Sequence, residues 1–105
     1  MLLAAAFEDI RLRYGGPIAI SSGYRPEAYN RAIGGARFSQ HVQGRALDLR
    51  PVQGNVGSLR ALLDACEDSR AAGMFRGLGR YVTFVHIDVR PGNRNFTWGG
   101  SRREN

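Results

Sequence analysis

Residues 84–89 read Phe84-Val85-His86-Ile87-Asp88-Val89 and carry the strongest strand signal in the chain. Apolar residues alternate there with ionisable ones, a pattern typical of a half-buried strand, and it predicts a strand over Val82–Val89. Side chains two residues apart on a strand lie on the same side of the sheet. His86 and Asp88 are therefore expected on one face, and the apolar residues between them on the other. The apolar face belongs to the core, and the opposite face carries ionisable groups.

A second strand, predicted over Arg45–Val52, alternates in the same way around Asp48, with Leu47 and Leu49 on the opposite face. If the two strands are neighbours, Asp48 and His86 face a common point, and His41 can reach it from the preceding loop. Two imidazoles and a carboxylate are three protein ligands, the number that catalytic zinc uses beside a water molecule. The alternative is a pair of hydrogen-bonded or surface histidines and an aspartate that caps a turn. Spacing alone leaves both interpretations open.

The remaining elements follow from apolar periodicity and from breakers. Gly77 and Gly79 are interpreted as flexible punctuation, and the tail from Pro91 onward is anchored only by Phe96 and Trp98. The order helix, strand, helix, strand, helix, strand favours an α+β or α/β fold around a small sheet. The other predicted elements are a helix over 3–14, a strand over 17–22, a short helix over 27–33, a polar loop over 36–43 and a helix over about 55–72.

Composition limits the class of protein. The 105 residues have room for one domain and one core. The apolar opening before Glu8 is too short for a membrane helix and lacks the basic leader of a signal peptide. A single cysteine, Cys66, excludes an internal disulfide and, lying on the apolar stripe of a helix, is expected to be a small buried residue. The net charge is +6, and all fifteen basic residues are arginine. They are spread along the chain, so no nucleic-acid partner is expected, whereas an anionic wall suits the charge. No membrane partner is expected either, because the apolar opening is short.

Several motifs together resemble the M15 metallopeptidases, the group of D-Ala-D-Ala carboxypeptidases and endolysins, and within that family they are most similar to subfamily A. The resemblance covers about residues 18–98. The SxHxxGxAxD signature together with the His-x-Asp strand is specific, whereas the glycines alone are not. The matching pieces are Ser39-x-His41-x-x-Gly44-x-Ala46-x-Asp48, Ser22-Gly23-Tyr24-Arg25, Asn30-Arg31, Gly77-Leu78-Gly79-Arg80-Tyr81 and Phe84-Val85-His86-Ile87-Asp88-Val89-Arg90.

The resemblance implies an α+β fold, a small antiparallel sheet flanked by helices with a Hedgehog/DD-peptidase-like zinc peptidase core. It implies that His41, Asp48 and His86 bind one zinc ion. Arg25 is similar to the family arginine that binds substrate and stabilises the oxyanion, a role that suits a permanently charged, bidentate guanidinium. Ser39 is expected to bind substrate or to shape the loop before His41.

The general base departs from the family pattern. Many relatives carry a glutamate three residues before the last histidine, where this chain has Thr83, and others carry a histidine two residues before it, where this chain has Phe84. Neither side chain can take a proton from water. Asp88, on the same strand face as His86, is the nearest carboxylate, and we expect it to be the catalytic base or else to orient a zinc ligand.

The sequence thus predicts a single zinc peptidase catalytic domain over residues 1–105, hydrolysing an amide bond in peptidoglycan peptides with zinc-activated water. Both D,D-carboxypeptidase and endopeptidase activities fit. The alternative from another class is a wall- or partner-binding module without turnover, which the loss of the usual glutamate at position 83 motivates. The chain is expected to act on the bacterial cell wall, as a monomer or as part of a larger phage or cell-wall protein.

Overall fold

A computed structural model of the chain describes residues 2–22, 45–52 and 56–99. Two helices and five strands lie in these ranges. Both long helices, and strands near all three predicted positions, occur where the sequence predicts them. In chain order the elements are α1 (Leu3–Tyr14), β1 (Ile18–Ser22), β2 (Ala46–Pro51), α2 (Val56–Ala71), β3 (Gly77–Arg80), β4 (Val85–Asp88) and β5 (Phe96–Gly99). The predicted short helix over 27–33 and the loop over 36–43 lie outside the described residues.

The five strands form one sheet in the order β1-β2-β4-β3-β5. Adjacent strands from β1 to β3 are antiparallel, but β5 runs parallel to β3. The α+β class is confirmed, while the prediction of a purely antiparallel sheet is wrong. The reason is the connection over 89–95, which carries the chain back to the end of the sheet where β3 begins, so that β5 starts beside Gly77.

Both helices contribute to one apolar core with a single face of the sheet. Helix α1 buries Ala6 and Ile10 and ends at Gly15, whose φ of 77° is the left-handed conformation that glycine tolerates at a helix C-terminus. Ala6 and Ile10 share this core with apolar residues of α2, of the loop after it and of the sheet. In β2 and β4 the core residues alternate with polar ones. These buried partners are Leu49, Leu62, Ala65, Cys66, Phe75, Leu78, Val85 and Ile87. The predicted burial of Cys66 is confirmed.

Two predictions about β3 and β4 are wrong for the same reason: one strand boundary and the interpretation of two glycines. The strand predicted over Val82–Val89 begins only at Val85, because residues 81–84 form the hairpin loop between β3 and β4, closed by a hydrogen bond from the Tyr81 N–H to the Phe84 carbonyl (3.1 Å). Gly77 and Gly79 belong to β3 and are buried, so they are not flexible punctuation. Both errors come from judging residues by their own propensity, although neighbouring side chains here fill the space that the glycines leave.

Within the described ranges, neither helix has the length and apolar character needed to cross a membrane.

Candidate metal centre

The face of the sheet opposite the core carries the ionisable residues that the sequence predicts for it. Asp48 on β2 lies directly opposite His86 on β4, and on the other side of β4 Gly79 lies opposite His86 and beside Trp98 of β5. Two residues along the strands, the next set of neighbouring positions on this face is Ala46, Asp88, Gly77 and Phe96. The condition set by the sequence, that these two strands are neighbours, is thereby met, and Asp48 and His86 share a face as that condition requires.

Asp48 and His86 are in contact. The Nδ1 atom of His86 lies 3.0 Å from Oδ1 of Asp48, and the two side chains are 11% and 14% exposed, with the histidine the less exposed. An imidazole nitrogen and a carboxylate oxygen that converge in this way are two donors of the kinds that zinc accepts. The pair comes from residues 38 positions apart, joined only by the sheet.

The other ring nitrogen of His86 faces Asp88. The Nε2 atom lies 2.8 Å from Oδ2 of Asp88, whose side chain is fully buried. Burial disfavours a charged imidazole, but the hydrogen bonds to Asp48 and Asp88 outweigh that cost and raise the pKa of His86 above its ordinary value. Protonated, the ring donates to both carboxylates. The proton between Nδ1 and Asp48 therefore lies where a metal ion can replace it, since metal ligands must lose their protons on binding.

Arg90 holds the outer side of Asp88. Its Nε donates to Oδ1 at 2.7 Å, its Nη2 donates to Oδ2 at 2.7 Å, and its backbone N–H also donates to Oδ1, at 3.3 Å. Burial alone would favour the neutral acid, but the Arg90 and His86 hydrogen bonds and charges keep the pKa of Asp88 below its ordinary value. Asp88 is thus an ionised carboxylate held from both sides.

The glycines of β3 make room for this arrangement. A Cβ atom on Gly77 would collide with the carboxylate oxygens of Asp88, and one on Gly79 would lie 2.6 Å from Nε1 of Trp98. Trp98 in turn donates a hydrogen bond from Nε1 to the Tyr81 hydroxyl (2.8 Å), and its ring lies 5.1 Å from the His86 ring. Because Gly77 and Gly79 lack side chains, the side chains of Asp88 and Trp98 can pack directly against the backbone of β3.

Other predicted site residues cannot be placed in the same way. His41, Arg25 and Ser39 lie outside the described residues, so their roles stay predictions. Thr83 is exposed in the hairpin loop, and the Phe84 ring stacks on Tyr81 with centroids 4.4 Å apart. The positions where relatives carry a glutamate or a histidine are thus occupied by a loop residue and a packing residue.

The donors that the structure brings together fit part of a zinc site. Asp48 and His86 supply two ligands of suitable type, and the oxygens of Asp88 already accept hydrogen bonds from Arg90 and His86. Over residues 2–22, 45–52 and 56–99, no group of three or more histidine, cysteine or acidic side chains is placed to hold a metal ion. A third ligand from this chain would therefore have to come from elsewhere, as the prediction for His41 requires.

Sequence reasoning quoted Arg90 and the two β3 glycines in its motifs but did not identify their roles in the site. Arg90 has the same parity as His86 and Asp88, so strand alternation places it on their side of the chain and was a usable signal. The Gly-x-Gly spacing of Gly77 and Gly79 was a second signal, because it removes side chains from one face only. Neither pattern identifies the partner, which depends on the positions of β3 and β5.

Comparisons with known proteins agree with the motifs. No curated protein is significantly similar to the chain. The model of the family described as Peptidase M15 matches residues 1–88, which include β1 to β4 and both Asp48 and His86. M15 peptidases are zinc-dependent. The match spans most of the sequence, and the chain belongs to the Peptidase M15 family.

Proposed function

We propose that this chain is a zinc metallopeptidase that hydrolyses an amide bond in peptidoglycan peptides, as a D,D-carboxypeptidase or an endopeptidase. The observation that carries the proposal is the contact between Asp48 and His86 on adjacent strands, in a chain of a peptidase family. The five-stranded sheet, one face of which shares an apolar core with both helices, would then be a core of the Hedgehog/DD-peptidase type. The peptidoglycan substrate comes from the motif resemblance and from the positive charge of +6.

The residues that would hold the zinc ion are Asp48, His86 through Nδ1, and His41. A bound zinc ion supplies a Lewis acid, which acidifies water and polarises a carbonyl group. The role of the protein itself is to hold the metal-binding atoms of Asp48 and His86 close together. The sheet fixes Asp48 opposite His86, and Asp88 accepts the Nε2 proton, which leaves the Nδ1 lone pair directed toward Asp48.

Of the two roles predicted for Asp88, the geometry favours orientation of a ligand over general base. A base must come within hydrogen-bond reach of a proton on the reacting water. Asp88 is fully buried, and both of its oxygens accept hydrogen bonds from Arg90, with Oδ2 also bonded to His86. We therefore propose that Asp88 accepts the hydrogen bond from the Nε2–H group of His86 throughout and is not the catalytic base.

Substrate binding is assigned to residues of the segment before β2. Arg25 would bind a peptide carboxylate and the developing oxyanion, because a guanidinium donates two parallel hydrogen bonds and keeps its charge. Ser39 would hydrogen-bond the peptide next to His41. Both assignments rest on the motif resemblance.

The decisive experiment measures zinc and turnover together. Purified protein is analysed for zinc by elemental analysis and incubated with purified sacculi, whose released fragments are profiled by mass spectrometry. We expect one zinc ion per chain, new amine ends in the fragments, and loss of both in His41→Ala. Zinc-loaded protein that binds sacculi without creating new amine ends would contradict the enzyme and support a wall-binding module. Salt-sensitive DNA affinity untouched by His41→Ala, without peptidase activity, would instead indicate nucleic-acid binding.

A further inference from the structure

Arg90 hydrogen-bonds to Asp88 of the site but lies just beyond the residues matched by the family model, which end at Asp88. Its side chain is 24% exposed, whereas that of Asp88 is fully buried. Because it donates to both oxygens of Asp88, Arg90 can fix the plane of the carboxylate as well as neutralise its charge. A lysine at this position could supply the charge but not the fixed two-point geometry.

Two aromatic rings of β5 hold the guanidinium of Arg90 in place. Its Cζ atom lies 4.8 Å from the centroid of the Phe96 ring and 5.2 Å from that of Trp98. Both distances are within the range of a cation–π interaction. Trp98 is itself fixed by its hydrogen bond to Tyr81 and contacts the His86 ring. The guanidinium is therefore positioned before any ligand arrives.

The contacts form a continuous chain from the edge strand to the imidazole. β5 holds Arg90, Arg90 holds both oxygens of Asp88, and Asp88 accepts the proton on Nε2 of His86. Rotation of the Asp88 carboxylate would break the bond to Nε2 and free the ring to turn away from Asp48. The Arg90 contacts oppose that rotation.

We propose that Arg90 is a positioning residue for the metal-binding histidine, acting through Asp88, and that β5 is part of the working site. This inference rests on the proposed function, since it assigns His86 Nδ1 to zinc. The competing explanation is an ion pair that stabilises the fold and has no effect on the orientation of His86.

Arg94 provides a matched control. Its Cζ atom also lies over the Phe96 ring, at 5.7 Å, while the hydrogen bonds that the structure gives to the Asp88 carboxylate come from His86 and Arg90. Arg90→Gln and Arg94→Gln each remove one charge and one contact with Phe96. Zinc affinity is measured for both full-length variants by competition with a chelator. We expect roughly tenfold weaker zinc binding for Arg90→Gln, as for other partners behind a metal ligand, and unchanged binding for Arg94→Gln.

A double-mutant cycle tests whether the effect passes through Asp88. In an Asp88→Asn background, Arg90→Gln should cause less than about a twofold further loss of zinc affinity, because the group on which it acts is already changed. Fully additive losses would overturn the proposal. Arg90→Lys should lie between Arg90→Gln and the unaltered chain.

A measurement on metal-free protein separates this proposal from the proposed function. The exchange of the His86 Nε2 proton with water is followed by NMR, with the backbone amide of Ile87 as the reference for general loosening of β4. We expect Arg90→Gln to speed exchange of the ring proton about tenfold relative to the Ile87 amide, which is the factor that the loss of one hydrogen bond to a charged group typically causes, and Arg94→Gln to leave the ratio unchanged. Equal acceleration of both protons, or no change in zinc affinity, would overturn the role of Arg90. Absence of zinc binding by the unaltered chain would overturn the proposed function, and the exchange ratio would then decide by itself whether Arg90 holds His86.

Discussion

On β4, Val85 and Ile87 are buried in the apolar core to which both helices contribute, whereas His86 and Asp88, each one residue further along, are buried among polar partners. The stability that the apolar face contributes depends on how well its side chains fill the available volume, because dispersion and hydrophobic burial are non-directional. The arrangement of the polar face depends on individual hydrogen bonds, since each buried donor and acceptor there needs a partner. Neighbouring residues of one strand should therefore fail in different ways when they are replaced.

The largest expected effect is on the polar face. His86→Ala should abolish zinc binding and, with it, peptidase activity, because it removes a ligand and the group that Asp48 and Asp88 both contact. Zinc is measured by elemental analysis after gel filtration, and folding by circular dichroism. A folded variant that still carries one zinc ion would place the metal outside the Asp48–His86 contact.

The neighbouring residue on the apolar face should show the opposite behaviour. Ile87→Ala should lower the free energy of unfolding by about 2–5 kcal/mol, since it leaves a cavity in a fully buried site. Urea unfolding of the metal-free protein measures the loss. The fraction that stays folded should still bind one zinc ion per chain, and selective loss of zinc from folded protein would show that the two faces are coupled.

A smaller effect is expected where the sheet supports the site. Gly77→Ala introduces a Cβ against the carboxylate of Asp88, which should cost about 1–3 kcal/mol of overpacking and weaken zinc binding. Gly73→Ala is the matched control, because Gly73 has a φ of 86° and open space around it. That variant should lose roughly 1–2 kcal/mol from backbone strain alone and keep its zinc affinity. Similar zinc affinity in both variants would mean that the position of Asp88 is not critical.

The effect that is smallest at neutral pH concerns Cys66 on the apolar side, because it develops only in alkali. Burial, with a contribution from the nearby Glu67 charge, raises the pKa of the Cys66 thiol from 9.0 to about 12. Between these pH values the unfolded chain has lost the proton and the folded chain has kept it. The contribution of the protonated Cys66 to the free energy of unfolding is therefore fully present below pH 9.0 and falls by up to about 1.4 kcal/mol per pH unit between the two pKa values. Comparing the pH dependence of urea unfolding with that of Cys66→Ala isolates this contribution, and identical slopes would contradict it.

The faces of β2 and β4 could be predicted because alternation depends only on local sequence. The contact of Asp48 with His86 needed one further step, the assumption that β2 and β4 are neighbours, which the register confirms. The order of elements limited the fold to α+β or α/β, and the motif resemblance implied α+β. The strand faces were the most direct of these predictions, because alternation is read from fewer than about ten residues.

β3, β5 and the role of Arg90 could not be predicted, because each depends on residues distant in the sequence. Gly77 is stable in a strand because the Asp88 carboxylate occupies the space above it, and Phe96 and Trp98 form a strand because β3 offers a free edge. The partners of Arg90 become visible only when the parallel pairing of β5 is known. Local propensity contains no information on such a pairing.

The parallel pairing of β5 with β3 also affects the choice of fragments for expression. A fragment trimmed at Asp88, where the family match ends, would lack β5 and leave the glycine-containing β3 as an unprotected edge of the sheet. Exposed edges of this kind invite pairing between molecules and aggregation. The same cut would remove Arg90. A soluble and active recombinant protein should therefore extend at least through Gly99.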